Sequence, residues 1–513
     1  MKSSKNIVFI VSALITLAIA IWGIVGSESF GAAANALMQT VTDTVGWLYL
    51  GAMLSFVIFA LIIAMSRFGD IKLGPDDAKP EYKTISWFGM LFGAGMGIGL
   101  VFYGVAEPIT HYLTPIAGVE PASVASSNFA IKASFMHWGL HPWAGYSVIG
   151  LGLAYFQFRK NKPGLISSLF IPLIGEERAS GPIGKIIDIF AVIATVAGVA
   201  TSLGMGTLQI NSGLSYLFNL PNSAVTWLII IVFITVIFIG TAVSGIEKGI
   251  NAISNLNLIL AAALVLIAIF VGPKIMMANT FVSGLGAYIN DFFRDSLVLN
   301  PFGDNSWVNG WRIFYWAWWI AWAPFVGTFI ARISRGRTVR EFIFGVIIAP
   351  ALASIIWFSV FGCLGLNLAL DFGIPALKEL VTTPETALYV VFAQYPLGLI
   401  LSLITLVLLC TFFITSANSA TFVLSMFSEQ GSLNPSRKKM FIWGILQSAI
   451  AYGLMLSGGL KALQTASVAA AFPFIFIMFL VMASIVIAFR GDRNKEKVKE
   501  KLNEETPYLE QSS

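Results

Sequence analysis

Phe92-Gly93-Ala94-Gly95-Met96-Gly97-Ile98-Gly99-Leu100 lies in the middle of an apolar segment long enough to cross a bilayer. Each glycine costs a helix interior about 1 kcal/mol relative to alanine, so four at alternate positions predict an interruption with exposed backbone. In hydrocarbon, exposed peptide groups persist only where they line a cavity or bind something. The segment is therefore a candidate ion and substrate site.

The chain around it is 513 residues long, 57% hydrophobic and 11% charged, with a mean hydropathy of +0.82. Soluble domains carry about 25% charged residues, so this composition points to an all-α polytopic membrane protein. Apolar runs predict twelve spans, near 7–26, 46–66, 85–108, 130–156, 185–217, 224–243, 255–273, 309–332, 342–363, 396–427, 437–457 and 467–489. They make one integral domain over residues 1–490, followed by a short tail over 491–513 whose mixed charges read as a solvated helix or a disordered end. Of the 31 Lys and Arg residues, all but Lys132, Lys274, Arg294, Arg312, Lys378 and Lys461 fall on one side of these spans. That bias predicts a multi-pass protein of the cell membrane with both termini cytoplasmic, and it explains a basic pI without a nucleic-acid partner. The start of the chain is basic but lacks a small-residue cleavage site, so it reads as the first span. Cys363 and Cys410 sit in apolar surroundings and read as packing residues. The stretches 274–308 and 364–395 read as interfacial helices that gate or brace an external vestibule.

Four of the 14 tryptophans, Trp316, Trp318, Trp319 and Trp322, fall within seven residues of one span, followed by Pro324. Another span holds His137-Trp138-Gly139-Leu140-His141-Pro142-Trp143-Ala144-Gly145-Tyr146. An interfacial belt needs nothing so dense. Converging aromatic faces suit a quaternary ammonium ion, which cannot donate a hydrogen bond and gains about 0.5–2 kcal/mol per ring by cation-π attraction. Ionisable groups in the spans are few, chiefly Glu107, Lys132 and Asp188. A substrate carboxylate would then be met by peptide N–H groups and helix dipoles, which favours a zwitterion. His137 and His141, at i and i+4, offer half a metal site with no third ligand or acid beside them, so hydrogen-bonding or packing roles are expected. Phe412-Phe413-Ile414-Thr415-Ser416-Ala417-Asn418-Ser419 brings adjacent hydroxyls that, with freed carbonyls, suit a hard monovalent cation. Thr195, Thr201 and Ser202 form a poorer set of the same kind. Paired titratable groups for an enzyme are missing from these spans, and an ammonium channel, which needs a continuous hydrophilic lining, is the alternative outside carrier proteins.

Gly95-Met96-Gly97-Ile98-Gly99, the two aromatic stretches, the hydroxyl cluster and the basic loop Ala331-Arg332-Ile333-Ser334-Arg335-Gly336-Arg337-Thr338-Val339-Arg340-Glu341-Phe342 together resemble the betaine/choline/carnitine transporters, nearest to the sodium-coupled glycine betaine carriers. The resemblance covers nearly the whole chain. It implies two inverted five-helix repeats of the leucine-transporter type, spans 3–7 and 8–12, two peripheral N-terminal spans, and a homotrimer in membrane lipid. Spans 3 and 8 would be the unwound first helices of the repeats. It further implies an ammonium box of Trp138, Trp143, Tyr146 and Trp319, a path lined by Trp318, Trp322 and Phe102, and substrate contacts at Gly95, Met96, Gly97, Gly99 and Ser202. One sodium site would use the carbonyls of Gly93, Met96 and Phe412 and the hydroxyls of Thr415 and Ser416. A second would use Thr195, but Val199 stands where the family has a threonine, which leaves the ion count open. The implied activity is sodium-driven uptake of a betaine-like zwitterion for osmoprotection, with no cofactor beyond the coupling ion. Choline, carnitine, proline betaine or ectoine as substrate, and protons as coupling ion, are the alternatives.

Overall fold

The computed structural model describes residues 6–95, 97–244 and 247–510. Met96 therefore lies outside the described residues. In chain order the helices are α1 Ile7–Val25, α2 Ser27–Met65, α3 Thr84–Gly95, α4 Ile98–Leu113, α5 Val124–Trp138, α6 Leu140–Ala154, α7 Ile171–Ile174, α8 Glu176–Ser180, α9 Pro182–Phe218 and α10 Ala224–Ser244. They continue with α11 Glu247–Val271, α12 Lys274–Ser296, α13 Phe314–Arg332, α14 Val339–Asn367, α15 Ala369–Thr382, α16 Ala387–Phe392, α17 Gly398–Phe427, α18 Arg437–Gly458 and α19 Leu460–Glu510. Among the described residues, ten helices are long and apolar enough to cross a membrane. The two other expected spans are each split into a pair, α3 with α4 and α5 with α6.

The first split falls within the glycine stretch, but it is narrower than the four glycines suggest. Helix α3 runs through Gly95 and α4 starts at Ile98, with Gly97 extended between them as its N-cap. The second split, at Gly139, was not foreseen. A Cβ there would stand 2.5 Å from the Phe135 carbonyl oxygen and 2.6 Å from the Tyr288 hydroxyl, closer than van der Waals contact allows. Span 8, expected to unwind, does not. It opens with a π turn over Val308–Ile313 and continues as the uninterrupted helix α13, which carries Pro324 inside it. Pro324 leaves the Ile320 carbonyl without its i+4 donor, and packing by neighbouring helices can absorb a proline in this setting.

Helix α13 packs along α6 and also meets α9 and α19, which places the tryptophan-rich span at the centre of the bundle. Its described residues from Phe314 to Ala321 are all buried. By contrast, α10 and α11 turn Val225, Phe233, Leu266 and Phe270 outward, the surface that hydrocarbon requires. Helix α12 braces the broken fourth span. Lys132 of α5 pairs with Asp291 at 2.6 Å and Asp295 at 2.8 Å, and hydrogen bonding by Lys132 holds the Asp291 carboxyl below its usual range. On the basic side, Arg337 stacks over the Trp87 ring at 3.9 Å. The last span continues as helix into the tail, and Asp492 at that junction accepts from Tyr155 at 2.8 Å and from Arg159 at 3.0 Å.

Candidate functional site

The break at Gly139 and the packing of α6 on α13 bring together the aromatic side chains that the sequence singled out. Trp138 and Trp319 meet with ring centroids 4.9 Å apart at 70°. Trp319 and Tyr146 meet at 6.4 Å and 86°, and Tyr146 and Trp143 at 5.5 Å and 89°. None of the four is more than 5% exposed. Perpendicular rings make corners, and a corner offers a trimethylammonium group more than one electron-rich face. Trp318 stacks on Trp319 at 4.6 Å and leads to half-buried Trp322 at 6.3 Å.

Gly99 sits directly against this cluster. A Cβ at that position would lie 3.0 Å from Trp138 Cη2 and closer still to Trp318, so only glycine lets the first turn of α4 touch the rings. Phe102 is one ring removed: it packs on Tyr103 at 4.9 Å, and Tyr103 meets Trp138 at 6.4 Å. Ser202 is buried behind the path, donating to the Gly198 carbonyl at 3.4 Å.

Below the rings lies a cavity of about 630 Å³. It runs from Tyr82 and Ser86, beside the basic loop, up to Gly93, Gly97 and Trp322. Thr415, Ser416 and Ser419 of α17 share its wall with Asn257 of α11. Gly93 occupies the last turn of α3, where helix carbonyls lack an i+4 donor. The Thr415 hydroxyl lies 3.2 Å from the Phe412 carbonyl oxygen and 3.1 Å from the Asn257 amide nitrogen. Of the predicted set for one ion, Gly93, Thr415 and Ser416 line this cavity and the Phe412 carbonyl lies beside the Thr415 hydroxyl, while Met96 falls outside the described residues. All its donors are oxygen, as a hard monovalent cation prefers. Asn257 was missed by sequence reasoning. It is buried, and its amide oxygen has no partner among the described residues. Thr195 is not part of this wall; its buried hydroxyl donates to the Ala191 carbonyl at 2.8 Å.

A wider cavity of about 1000 Å³ occupies the opposite end, lined by Asp43, Asp304, Glu385, Lys461 and Gln464 among others. Helix α13 and the π turn before it link the two: Asn309 and Gly310 face the outer cavity, Trp322 and Phe329 the inner one. Between them the rings of Tyr103, Phe314, Tyr315 and Trp318 pack together at 5.2 to 6.5 Å.

The role that sequence reasoning most clearly missed is that of Glu107. The sequence reads it as a rare acid in the spans, and His137 as a histidine without an acid beside it. Packing of α4 on α5 overturns the second point. Glu107 Oε1 lies 2.7 Å from His137 Nδ1 and 3.3 Å from His111 Nε2, and Oε2 accepts from Trp138 Nε1 at 2.9 Å and from the Tyr315 hydroxyl. Ligand atoms of Glu107, His111 and His137 lie close enough to hold a metal. Arg312 argues against one, because its guanidinium donates to His137 Nε2 at 3.0 Å and would repel a cation. His141, the other half of the imagined metal pair, bonds Ser296 instead, at 2.9 Å.

A family model described as betaine/carnitine/choline family transporter matches residues 7–494. The glycine betaine transporter OpuD of Bacillus subtilis is 46% identical over 505 residues, covering 98% of each chain. A probable glycine betaine transporter of Desulfitobacterium hafniense is 45% identical over 491 residues, 95% of this chain and 98% of that one. An ectoine/hydroxyectoine transporter of Virgibacillus pantothenticus is 42% identical over 501 residues, 97% of this chain and 99% of its own.

Proposed function

The chain belongs to the betaine/carnitine/choline transporter family, and from that footing we propose that it takes up glycine betaine by sodium symport, as a carrier of compatible solute for osmoprotection. The observation that carries this reading is the junction at Trp322: the cavity that holds the Thr415 and Ser416 hydroxyls reaches the ring from which the aromatic chain through Trp318 and Trp319 begins. The rings of Trp138, Trp143, Tyr146 and Trp319 would take the trimethylammonium head. The carboxylate has donors near them, since the first N–H groups of α4 lack helical acceptors and the indole N–H groups of Trp318 and Trp322 have no partner among the described residues. Sodium would take the oxygens of Gly93, Thr415 and Ser416, with Asn257 at hand. Two relatives named for glycine betaine support this substrate over ectoine, which lacks a trimethylammonium group.

Transport would proceed by alternating access, with α3 to α6, α13 and α14 rocking against the remaining spans, the two halves related as inverted repeats. With the inner cavity reaching Trp322 and the outer one sealed by the Tyr103 and Tyr315 rings, the conformation reads as inward-facing. We place the protein in the cell membrane as a homotrimer surrounded by lipid, with both termini cytoplasmic. The test is uptake of labelled glycine betaine into proteoliposomes. A sodium gradient alone should drive saturable accumulation, and exchanging sodium for potassium at fixed pH should abolish it. Accumulation driven equally by a proton gradient without sodium would overturn the ion assignment, and saturable uptake of ectoine alone would overturn the substrate.

A further inference from the structure

Glu107 lies in the hydrophobic interior, fully buried, and four donors converge on it. The hydrogen-bond roles around it can be assigned from chemistry. A guanidinium only donates, so His137 Nε2, 3.0 Å from Arg312 Nε, is an acceptor and its proton resides on Nδ1, facing Glu107. An indole only donates, so His111 Nδ1, 3.2 Å from Trp307 Nε1, is likewise an acceptor and its Nε2 faces Glu107 as a donor. Trp138 donates through its indole N–H. With an imidazole N–H from each histidine and the Tyr315 hydroxyl, this fills the acceptor sites of an ionised carboxylate. Its charge is balanced through His137 by Arg312, which also donates to the Asp295 carbonyl.

We propose that Glu107 is a positioning residue for substrate binding, fixing the orientation of Trp138 from behind through its indole N–H and bridging it to Tyr315 and, by way of His137, to Arg312. The inference rests on the assignment of Trp138 and Trp319 to the ammonium site. The same link reaches the other wall: the His137 carbonyl, freed by the break at Gly139, accepts from Trp319 Nε1 at 2.9 Å. Both tryptophans are therefore tied to one rigid polar relay on the side away from the cavity. An anion bonded to the indole N–H also enriches the ring face presented to a cation, because hydrogen bonds polarise their partners in a medium of low dielectric.

The experiment is uptake kinetics in proteoliposomes for wild type, Glu107→Gln, a protein with Trp138 replaced by 3-benzothienylalanine, and the combination. The analogue keeps the bicyclic ring and exchanges the N–H for sulfur. Loss of a hydrogen bond to a charged partner predicts that KM for glycine betaine rises about tenfold or more in each single variant while kcat changes less than about threefold. Because both changes break one link, the combination should be no worse than the weaker-binding single variant. KM within about twofold of wild type in either single variant overturns the proposal, as do multiplying effects in the combination. If Glu107→Gln does not fold, the analogue at Trp138 decides alone on the same KM criterion. Wild type that does not take up glycine betaine at all would refute the functional reading instead, which keeps the two failures apart.

Discussion

Two spans of this protein are broken at glycine, and the breaks have opposite surroundings. Between α3 and α4 the backbone faces the inner cavity, and a Cβ on Gly93 or Gly97 would meet nothing within 4 Å. Between α5 and α6, Gly139 is enclosed by Phe135 and Tyr288. There the freed groups are taken up by protein: the Leu140 N–H donates to the Tyr288 hydroxyl at 3.0 Å, and the His137 carbonyl accepts from Trp319 at 2.9 Å. Membrane interiors tolerate broken helices only when the orphaned groups find partners. In the fourth span the partners are built in and orient two aromatic side chains; in the third, Gly93 and Gly97 line the inner cavity.

The largest effect that would sharpen this contrast is on the closed break. Gly139→Ala forces a methyl into the Tyr288 hydroxyl and the Phe135 carbonyl, and overpacking of this kind costs about 1–3 kcal/mol. The expected result is a clear drop in the melting temperature of the detergent-solubilised protein together with a raised KM for glycine betaine, since Trp138 is the residue immediately before the break. A variant with wild-type melting and KM would show that the enclosure yields freely. A smaller effect is expected from Tyr288→Phe, which keeps the ring and leaves the Leu140 N–H without its acceptor. An unsatisfied buried donor costs about 1–3 kcal/mol, and local relaxation around one hydroxyl places this variant at the lower end. Its melting temperature should fall between those of Gly139→Ala and wild type; no change would mean that Leu140 finds another acceptor.

The sequence made one break legible and hid the other for a physical reason. Four glycines in nine residues have no use in a regular helix, whereas Gly139 is a single glycine followed by Pro142, and part of what encloses it is Tyr288, nearly 150 positions away. Density of tryptophan likewise announced the ring cluster, because each ring's chemistry is its own. Glu107 escaped because its meaning is relational: its partners His137, Trp138 and Tyr315 lie 30, 31 and 208 residues further on. Pro324 misled in the opposite direction. The eighth span, expected to unwind, runs through it as the unbroken helix α13. Residues that act on their own backbone or offer their own surface were readable, and those that act through distant packing were not.

The smallest effect on stability is expected at the open break, and it is there that function should move most selectively. Gly97 is extended, with φ −141° and ψ −171°, a conformation open to any residue. Gly97→Ala therefore places a methyl in the cavity without strain, and its stability should stay within about 0.5 kcal/mol of wild type. The methyl enters the space shared with Thr415 and Ser416. Sodium half-activation of uptake should rise, and Ser416→Ala, which removes a hydroxyl from the same wall, should shift it in the same direction. If ion and substrate are coupled through this cavity, each must change the other's affinity by one factor, so the dependence of betaine affinity on sodium should weaken in both variants. A Gly97→Ala protein that melts as early as Gly139→Ala would erase the distinction between the two breaks. One that melts normally with unchanged sodium activation would leave the open break without the ion role assigned to it.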